Sequence, residues 1–537
     1  MAVLTKTSLE LLLQDPLSWV FLATLALMLL QLWRHQSKAP PLPPGPTPLP
    51  IISNMMMMHQ LTHRGLAALA DKYGSGLVHL RLGQVHAFAV STPEYAREVL
   101  QAQDVAFANR PATAAVAYLT YGRADMAFAH YGPFWRQARK LSATKLFSRR
   151  RAETWLAVRD ECAALVRAVA ARSSSSSGAG AVVNVGELIF DLTKNAIYRA
   201  AFGTRDADRQ AEFIAILQEF SRLLGAFNVG DFVPWLRWVD PHGINRRLRV
   251  ARASLDRFID KIIDEHIERG KIPGDDADTD MVDEMLAYLV ELKSDGSSIA
   301  GDDDQENTLR LTRNNIKGII MDMMFGGTET VASGIEWAMV EMMRCPGDLR
   351  RLQQELADVI GPDRNVDDSD LDNLPFLKCV VKETLRLHPP IPLLLHETAE
   401  DCVLGGGRYS VPRGSRVMVN VWALGRDPAA WEDAGAFRPS RFAPGGHAAG
   451  LDVKGGAGGK GFQYLPYGSG RRACPGMALG QYALELAVAQ LAHGFDWALP
   501  EGVEASELDM DDVFGLAAPR ATRFRAIATP RLTCPLY

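Results

Sequence analysis

The chain has no CxxC pair, no N-x-S/T glycosylation acceptor, no basic excess and no internal repeat. Its six cysteines, Cys162, Cys345, Cys379, Cys402, Cys474 and Cys534, are scattered over 537 residues, which suits neither a zinc cluster nor a disulfide framework. Together with the missing acceptors, this favours a reducing, cytosol-facing location for the bulk of the protein. Lys and Arg number 58 against 63 Asp and Glu, a balance that argues against a nucleic-acid binder. The lack of a repeat removes solenoids and propellers.

Charge is also missing locally. From Pro16 to Trp33 there is none, and Leu17–Leu32 is mostly Leu, Ala, Val, Phe and Met. A helix of that length spans about 27 Å, enough to cross a thin bilayer. No small-x-small site follows it, unlike a cleaved signal peptide, and Glu10 and Asp15 are out of place in a mitochondrial presequence. The segment therefore reads as a retained membrane anchor over residues 1–38. Arg34 and Lys38 follow the span against Lys6 before it, which places the body on the cytosolic side. Residues 39–50 hold Pro40, Pro41, Pro43, Pro44, Pro46, Pro48 and Pro50, too many for a helix, and read as a stiff hinge.

Residues 51–537 read as one large, mainly helical domain with small β-sheets. Leu77–Val90 alternates like a hairpin and Arg416–Val421 like a buried strand. Ser173–Ser177, Asp302–Glu306 and Gly445–Gly461 are loop tracts to which no chemistry is assigned.

The densest signal is Tyr467-Gly468-Ser469-Gly470-Arg471-Arg472-Ala473-Cys474-Pro475-Gly476, followed by an amphipathic helix from Met477 to about His493. Cys474 falls where an N-cap would lie, and Pro475 suits a first helical turn. Backbone N–H groups and the positive helix end would then favour a thiolate. Gly470 and Gly476 would allow the backbone close to a flat cofactor, and Arg472 could pair with a carboxylate on it. A free cysteine in a glycine-rich turn would explain any one of these residues, but not the set.

This segment resembles the haem-binding signature F-x-x-G-x-R-x-C-x-G of the cytochrome P-450 superfamily, with Tyr467 where Phe is usual. The resemblance runs from the anchor to the C-terminus. It implies the P450 fold, a haem b whose iron is held by Cys474, and Gly470, Gly476 and Arg472 around that haem. It also implies O2 as cosubstrate and electrons from NADPH through a membrane-bound reductase. Glu383-Thr384-Leu385-Arg386 resembles the ExxR motif, and Phe437-Arg438-Pro439-Ser440-Arg441-Phe442 its downstream partner. Together they imply a structural triad of Glu383, Arg386 and Arg441. By the same likeness Trp135 and Arg139 reach haem propionates, and Arg149–Arg151 extend a basic face that an acidic electron donor could meet.

Gly326-Gly327-Thr328-Glu329-Thr330 lies within an apolar helical stretch from about Asn314 to Arg344. Two mid-helix glycines cost about 1 kcal/mol each against alanine, so an opening over a cofactor is the expected reason. Glu329 and Thr330 offer an acid and a hydroxyl for proton delivery, as in the superfamily's oxygen-activation motif. A haem-thiolate isomerase or dehydratase tends to lose this pair, and a non-enzymatic haem sensor would not need it. Longer stretches, Asp322–Met324, Phe325–Ala338, Leu387–Thr398 and Asp509–Leu516, resemble the plant ferulate (coniferaldehyde) 5-hydroxylases. That implies a small guaiacyl phenolic substrate, hydroxylated at ring carbon 5 for syringyl lignin, and residence in the endoplasmic reticulum membrane as a single-pass protein. Ile391 to Leu395, with Val513, Phe514 and Leu516, are the candidate apolar pocket residues. A flavonoid 3′-hydroxylase is the main alternative.

Overall fold

The computed structural model describes residues 40–50, 52–111, 113–148, 152–174, 181–204, 206–224, 228–236, 238, 240, 243–270, 280–289, 310–456 and 460–535, with Trp19, Ala23 and Thr24. The rest of the expected anchor, Arg149–Arg151 and Asp302–Glu306 lie outside them. No helix among the described residues is long and apolar enough to cross a membrane. Ser173 and Ser174, expected in a loop, end the helix Ala152–Ser174.

Five helices position the site: α1 (Pro133–Leu141), α2 (Val185–Phe202), α3 (Arg313–Arg344), α4 (Pro375–Leu387) and α5 (Met477–Gly494). Helix α3 is the spine. Thr312 caps it and exchanges hydrogen bonds with Asn315, so the first orphan amides are met. It ends at Cys345, just before Pro346. Nearly all of α3 is buried, from Ile316 to Met324 and from Ala332 to Met343, but between them only Thr328 is buried in the window 325–331. A buried helix with a central stretch lacking contact on one side borders a hollow. At Gly327 the opposite constraint holds, because a Cβ there would come 2.6 Å from Ile197 of α2. One glycine is thus explained by helix packing, and its neighbour by the hollow.

Helix α5 runs beside α3. A Cβ on Gly480 would lie 3.7 Å from Val331, and one on Gly334 would lie 3.4 Å from Leu484. The pairs advance together along both helices. The start of α5, and the turn before it that carries Cys474, therefore lie toward the window in α3.

The main sheet is built from β1 (Leu77–Leu82), β2 (Val85–Val90), β3 (Leu393–Glu397) and β4 (Arg416–Asn420), in the order β1-β2-β4-β3. The expected hairpin forms with Leu82 opposite Val85, and β4 joins it in parallel. A second sheet pairs Arg525–Pro530 with Val182–Asn184 and Phe495–Ala498, which ties the C-terminal segment to the start of α2. The proline segment is laid against this body. His79 N–H donates to Pro44 and Ser410 N–H to Pro41, each at 3.0 Å, and a Cβ on Gly45 would sit 1.9 Å from the His79 carbonyl. Only glycine fits there.

Behind α5 the three charged residues of the expected triad meet and are fully buried. Arg386 donates Nε and Nη2 to the two oxygens of Glu383 at 2.7 and 2.8 Å, and Arg441 Nε donates to the same carboxylate at 2.9 Å. The remaining Arg386 donors go to the carbonyls of Gly425, Ala434 and Ala436. Arg441 adds the Glu432 carbonyl. The one positive charge in excess is therefore spread over carbonyl dipoles, which is what makes the burial tolerable. These bonds clamp α4 to the 425–441 chain that leads toward Cys474.

Candidate active site

Cys474 sits in the turn ahead of α5. The helix starts at Met477 with Gly476 as its N-cap, so Cys474 lies two residues before the cap, not on it as expected from sequence. The Cys474 amide donates to the Tyr467 carbonyl at 2.9 Å, closing the loop from 467 to 474. The side chain is exposed although it lies deep within the protein, as it must be if it faces a hollow. Burial pushes its thiol up; the Gly476 N–H and the Arg139 charge pull the other way without prevailing. The backbone N–H at the helix start thus favours the thiolate, but does not by itself outweigh burial. Bonding to a metal cation would.

The two glycines of the turn serve different ends. Gly470 has φ +67°, and a Cβ there would lie 2.3 Å from the Leu100 carbonyl, so its close approach is to protein backbone. Gly476 has an ordinary φ of −89°, and a Cβ would meet only the Phe147 ring at 3.8 Å. Its contribution is the amide that reaches the sulfur.

Around the hollow the structure assembles arginines from three separate segments. Arg139 on α1 donates to the Ala473 carbonyl. Arg472 donates to the carbonyls of Ala108, Met126 and Ala129, and its guanidinium lies 4.5 Å from the centre of the Trp135 ring. Arg110, which belongs to no motif in the sequence, donates to the Leu395 carbonyl. All three bond to neutral acceptors. Burial lowers Arg110 to about 10, with Arg139 repelling it, and lowers Arg472 to about 9, with Arg110 and Arg139 repelling it and Asp125 and Asp322 opposing. His396 joins them from β3. Its Nδ1 lies 2.8 Å from the Phe107 carbonyl, and burial with the nearby Arg110 lowers it to about 3. Buried, mutually repelling cations are costly unless an anion is brought to them. On the α3 side, a Cβ on Gly326 would touch nothing within 4 Å. A flat disc with a central metal and two carboxylates, held between Cys474 and Gly326 with its acids toward the arginines, matches this arrangement.

The acid and the hydroxyl on α3 are not in contact. Thr330 Oγ1 donates to the Gly326 carbonyl at 2.6 Å, closing back over the window. Glu329 turns toward the C-terminal segment, with its carboxylate 3.6 Å from Arg523. Burial raises Glu329 above the usual carboxylate range, with Arg523 opposing.

The candidate pocket residues are divided by strand geometry. Leu393 and Leu395 pack with Leu61 and Leu66 on one face of β3, while Leu394 faces the other way, close to Gly468 of the cysteine loop. Period-two alternation makes that split unavoidable. Val513, Phe514 and Leu516 are exposed, and the tail instead turns inward at Ala518. Ala518 N–H donates to the Pro390 carbonyl at 2.9 Å, and Ser333 Oγ of α3 reaches the Ala518 carbonyl at 3.4 Å. The tail and the segment after α4 therefore meet beside α3, about one turn beyond Thr330.

The cytochrome P450 family model matches residues 43–522. The chain belongs to the cytochrome P450 family. It is 58% identical over 504 residues to cytochrome P450 84A1 of Arabidopsis thaliana, covering 93% of each chain. It is 50% identical to cytochrome P450 84A4 of the same plant, covering 94% of this chain and 95% of the relative. A flavonoid 3′-monooxygenase of Crocosmia x crocosmiiflora is 39% identical over 94% of this chain and 95% of its own. Among solved structures, a zebrafish cytochrome P450 with progesterone aligns with a TM-score of 0.70 at 25% identity, over 87% of this chain and 99% of that one. The P450 is an oxidoreductase, a monooxygenase that uses haem-thiolate, O2 and electrons from NADPH through a reductase. Its fold is mostly helical with small sheets, as expected.

Proposed function

We propose that this P450 hydroxylates carbon 5 of the guaiacyl ring in coniferaldehyde, coniferyl alcohol or ferulate, the step that leads to syringyl lignin. What supports the reading is the higher identity to the two 84A relatives than to the flavonoid 3′-monooxygenase. The observation that carries it is the meeting of Pro390 and Ala518 beside Ser333. Pro390 belongs to Leu387–Thr398 and Ser333 to Phe325–Ala338, the two longest stretches that resemble the 5-hydroxylases, and Ala518, two residues after the third, joins them into one wall beside α3.

In this reading Cys474 ligates the haem iron. Arg472 and Arg139 hold the propionates, with Trp135 as an apolar support under Arg472; Arg110 and His396 join them. Gly470 and Gly476 shape the cysteine loop. When bound, the haem supplies the reductive cleavage of O2, with one oxygen atom entering the ring and the other leaving as water. Thr330 orders water over the window, and Glu329 exchanges protons with it. The body faces the cytosol from the endoplasmic reticulum membrane, tethered through Pro16–Trp33, where it meets the reductase.

The test is turnover of reductase-coupled microsomes with coniferaldehyde, coniferyl alcohol, ferulate and naringenin in parallel. Hydroxylation of at least one guaiacyl compound is expected. Hydroxylation of naringenin alone would replace the reading with a flavonoid 3′-hydroxylase.

A further inference from the structure

Glu329 and Glu336 lie seven positions apart on α3, two helical turns, and so share one face. Arg523 stands before both. Its Nη1 is 3.0 Å from Glu336 Oε2, while its Nη2 is 3.6 Å from Glu329 Oε1. Glu336 is fully buried and doubly held, since its other oxygen accepts the Phe524 N–H at 2.6 Å. A side chain at position 186 would displace it, because a Cβ on Gly186 would lie 2.3 Å from Glu336 Oε1. Arg520 adds positive charge behind Glu336.

The two contacts are unequal for a physical reason. Glu336 cannot leave without stranding a buried charge, whereas Glu329 is one-third exposed and can rotate into water. Arg523 is therefore anchored by Glu336 and offers its second nitrogen to Glu329. The charged groups facing Glu329 are Arg523 and Glu336.

We propose that Arg523, anchored by Glu336, is a positioning residue that holds Glu329 away from Thr330 and releases it for proton transfer. This rests on the reading of Glu329 and Thr330 as the proton-delivery pair. The step is a rotation of the Glu329 side chain, and only a proton is moved, from water to the carboxylate and on to water held at Thr330. Because the contact is long, the release is inexpensive; because Glu336 keeps Arg523 in place, Glu329 has a fixed position to return to.

The proposal makes opposite demands on the two partners. In Arg523→Gln, Glu329 loses its cation, so its proton is held more tightly. In Glu336→Gln, Arg523 loses its anchor and is free to grip Glu329, so the proton is held less tightly. The share of NADPH converted to product, against hydrogen peroxide, is measured from pH 5.5 to 8.5 with whichever guaiacyl or flavonoid compound turns over. The acid limb is expected to rise by roughly half a unit to one unit in Arg523→Gln, the low end for a charge at this distance because the pair is partly exposed. It should fall in Glu336→Gln and return most of the way in Arg523→Lys. Glu329→Gln removes the limb; if it does not, the relay reading itself fails. A limb present in the parent, abolished by Glu329→Gln and unmoved by Arg523→Gln overturns the positioning role alone. Independently of turnover, thermal midpoints of Arg523→Gln, Glu329→Gln and the double variant should be non-additive, and additive shifts count against the contact. The reduced carbon monoxide band confirms that each variant is folded.

Discussion

Replacing Glu383 by glutamine removes the charge that two buried arginines share. The Oε1 position accepts three hydrogen bonds, from Arg386 Nη2 at 2.8 Å, Arg441 Nε at 2.9 Å and the Arg438 amide at 2.7 Å. Oε2 accepts one, from Arg386 Nε at 2.7 Å. A glutamine can place its carbonyl at the first position, but its NH2 then faces the Arg386 Nε–H, donor against donor. The bond is lost, and both guanidinium groups stay buried without an anion. Breaking a buried pair from one side costs about 3–5 kcal/mol, against a typical total of about 5–15 kcal/mol. The chain is long, so each kcal/mol moves the midpoint by less than the ~2–4 °C of mid-sized domains; a fall of at least ~5 °C is still expected. Thermal unfolding followed through the haem band, with the yield of correctly loaded protein, measures it. A shift under ~2 °C at full yield would refute the claim that this carboxylate holds the 425–441 chain in place.

Cys474→Ser should abolish the thiolate-type carbon monoxide band completely, since serine stays protonated and ligates iron poorly; an unchanged band would remove Cys474 from the iron. Thr330→Ala removes one hydroxyl–carbonyl bond, worth about 1 kcal/mol or less, so the haem content should hold while less NADPH ends in product. Equal coupling in the variant and the parent would take Thr330 out of proton delivery. Deleting Met1–Gln36 keeps the proline segment on the body and should free the protein from microsomes with its haem intact; continued pelleting of the loaded protein would argue for a second membrane contact. His266 pairs with Asp280 at 2.7 Å. Burial works against its charge, but Asp280, the Ile262 carbonyl and Asp283 outweigh it and raise its pKa. The pair's contribution is therefore full below about pH 6.5 and is lost as pH rises through the higher folded value. The midpoint gap between the parent and His266→Gln should shrink from pH 6 to pH 8, and an unchanged gap would contradict the assignment.

Elements whose pattern is local were legible from the residues. The β1–β2 hairpin followed from alternation, and the extents of α3 and α5 from their long helical stretches of apolar residues. The Glu383–Arg386 pair also followed from spacing, because i and i+3 face the same way on a helix. Its junction with Arg441 rested on family likeness, since nothing local joins positions 58 residues apart.

What the chain by itself determined is the chemistry it carries: a cysteine in a glycine-rich turn before a helix, an acid and a hydroxyl in mid-helix, and an uncharged stretch at the N-terminus. These depend on residue type and short spacing. Tertiary structure alone decided which groups meet. Arg110 comes from a segment with no motif and His396 from within Leu387–Thr398, and only their burial beside other cations reveals them as part of the cluster. Leu394 parts from Leu393 and Leu395 because the sheet has two faces, and Ala518, not Phe514, turns inward because the tail bonds to Pro390. Glu329 and Thr330 are adjacent in the chain yet point apart, since neighbouring helical residues project about 100° from one another and Arg523 holds one of them.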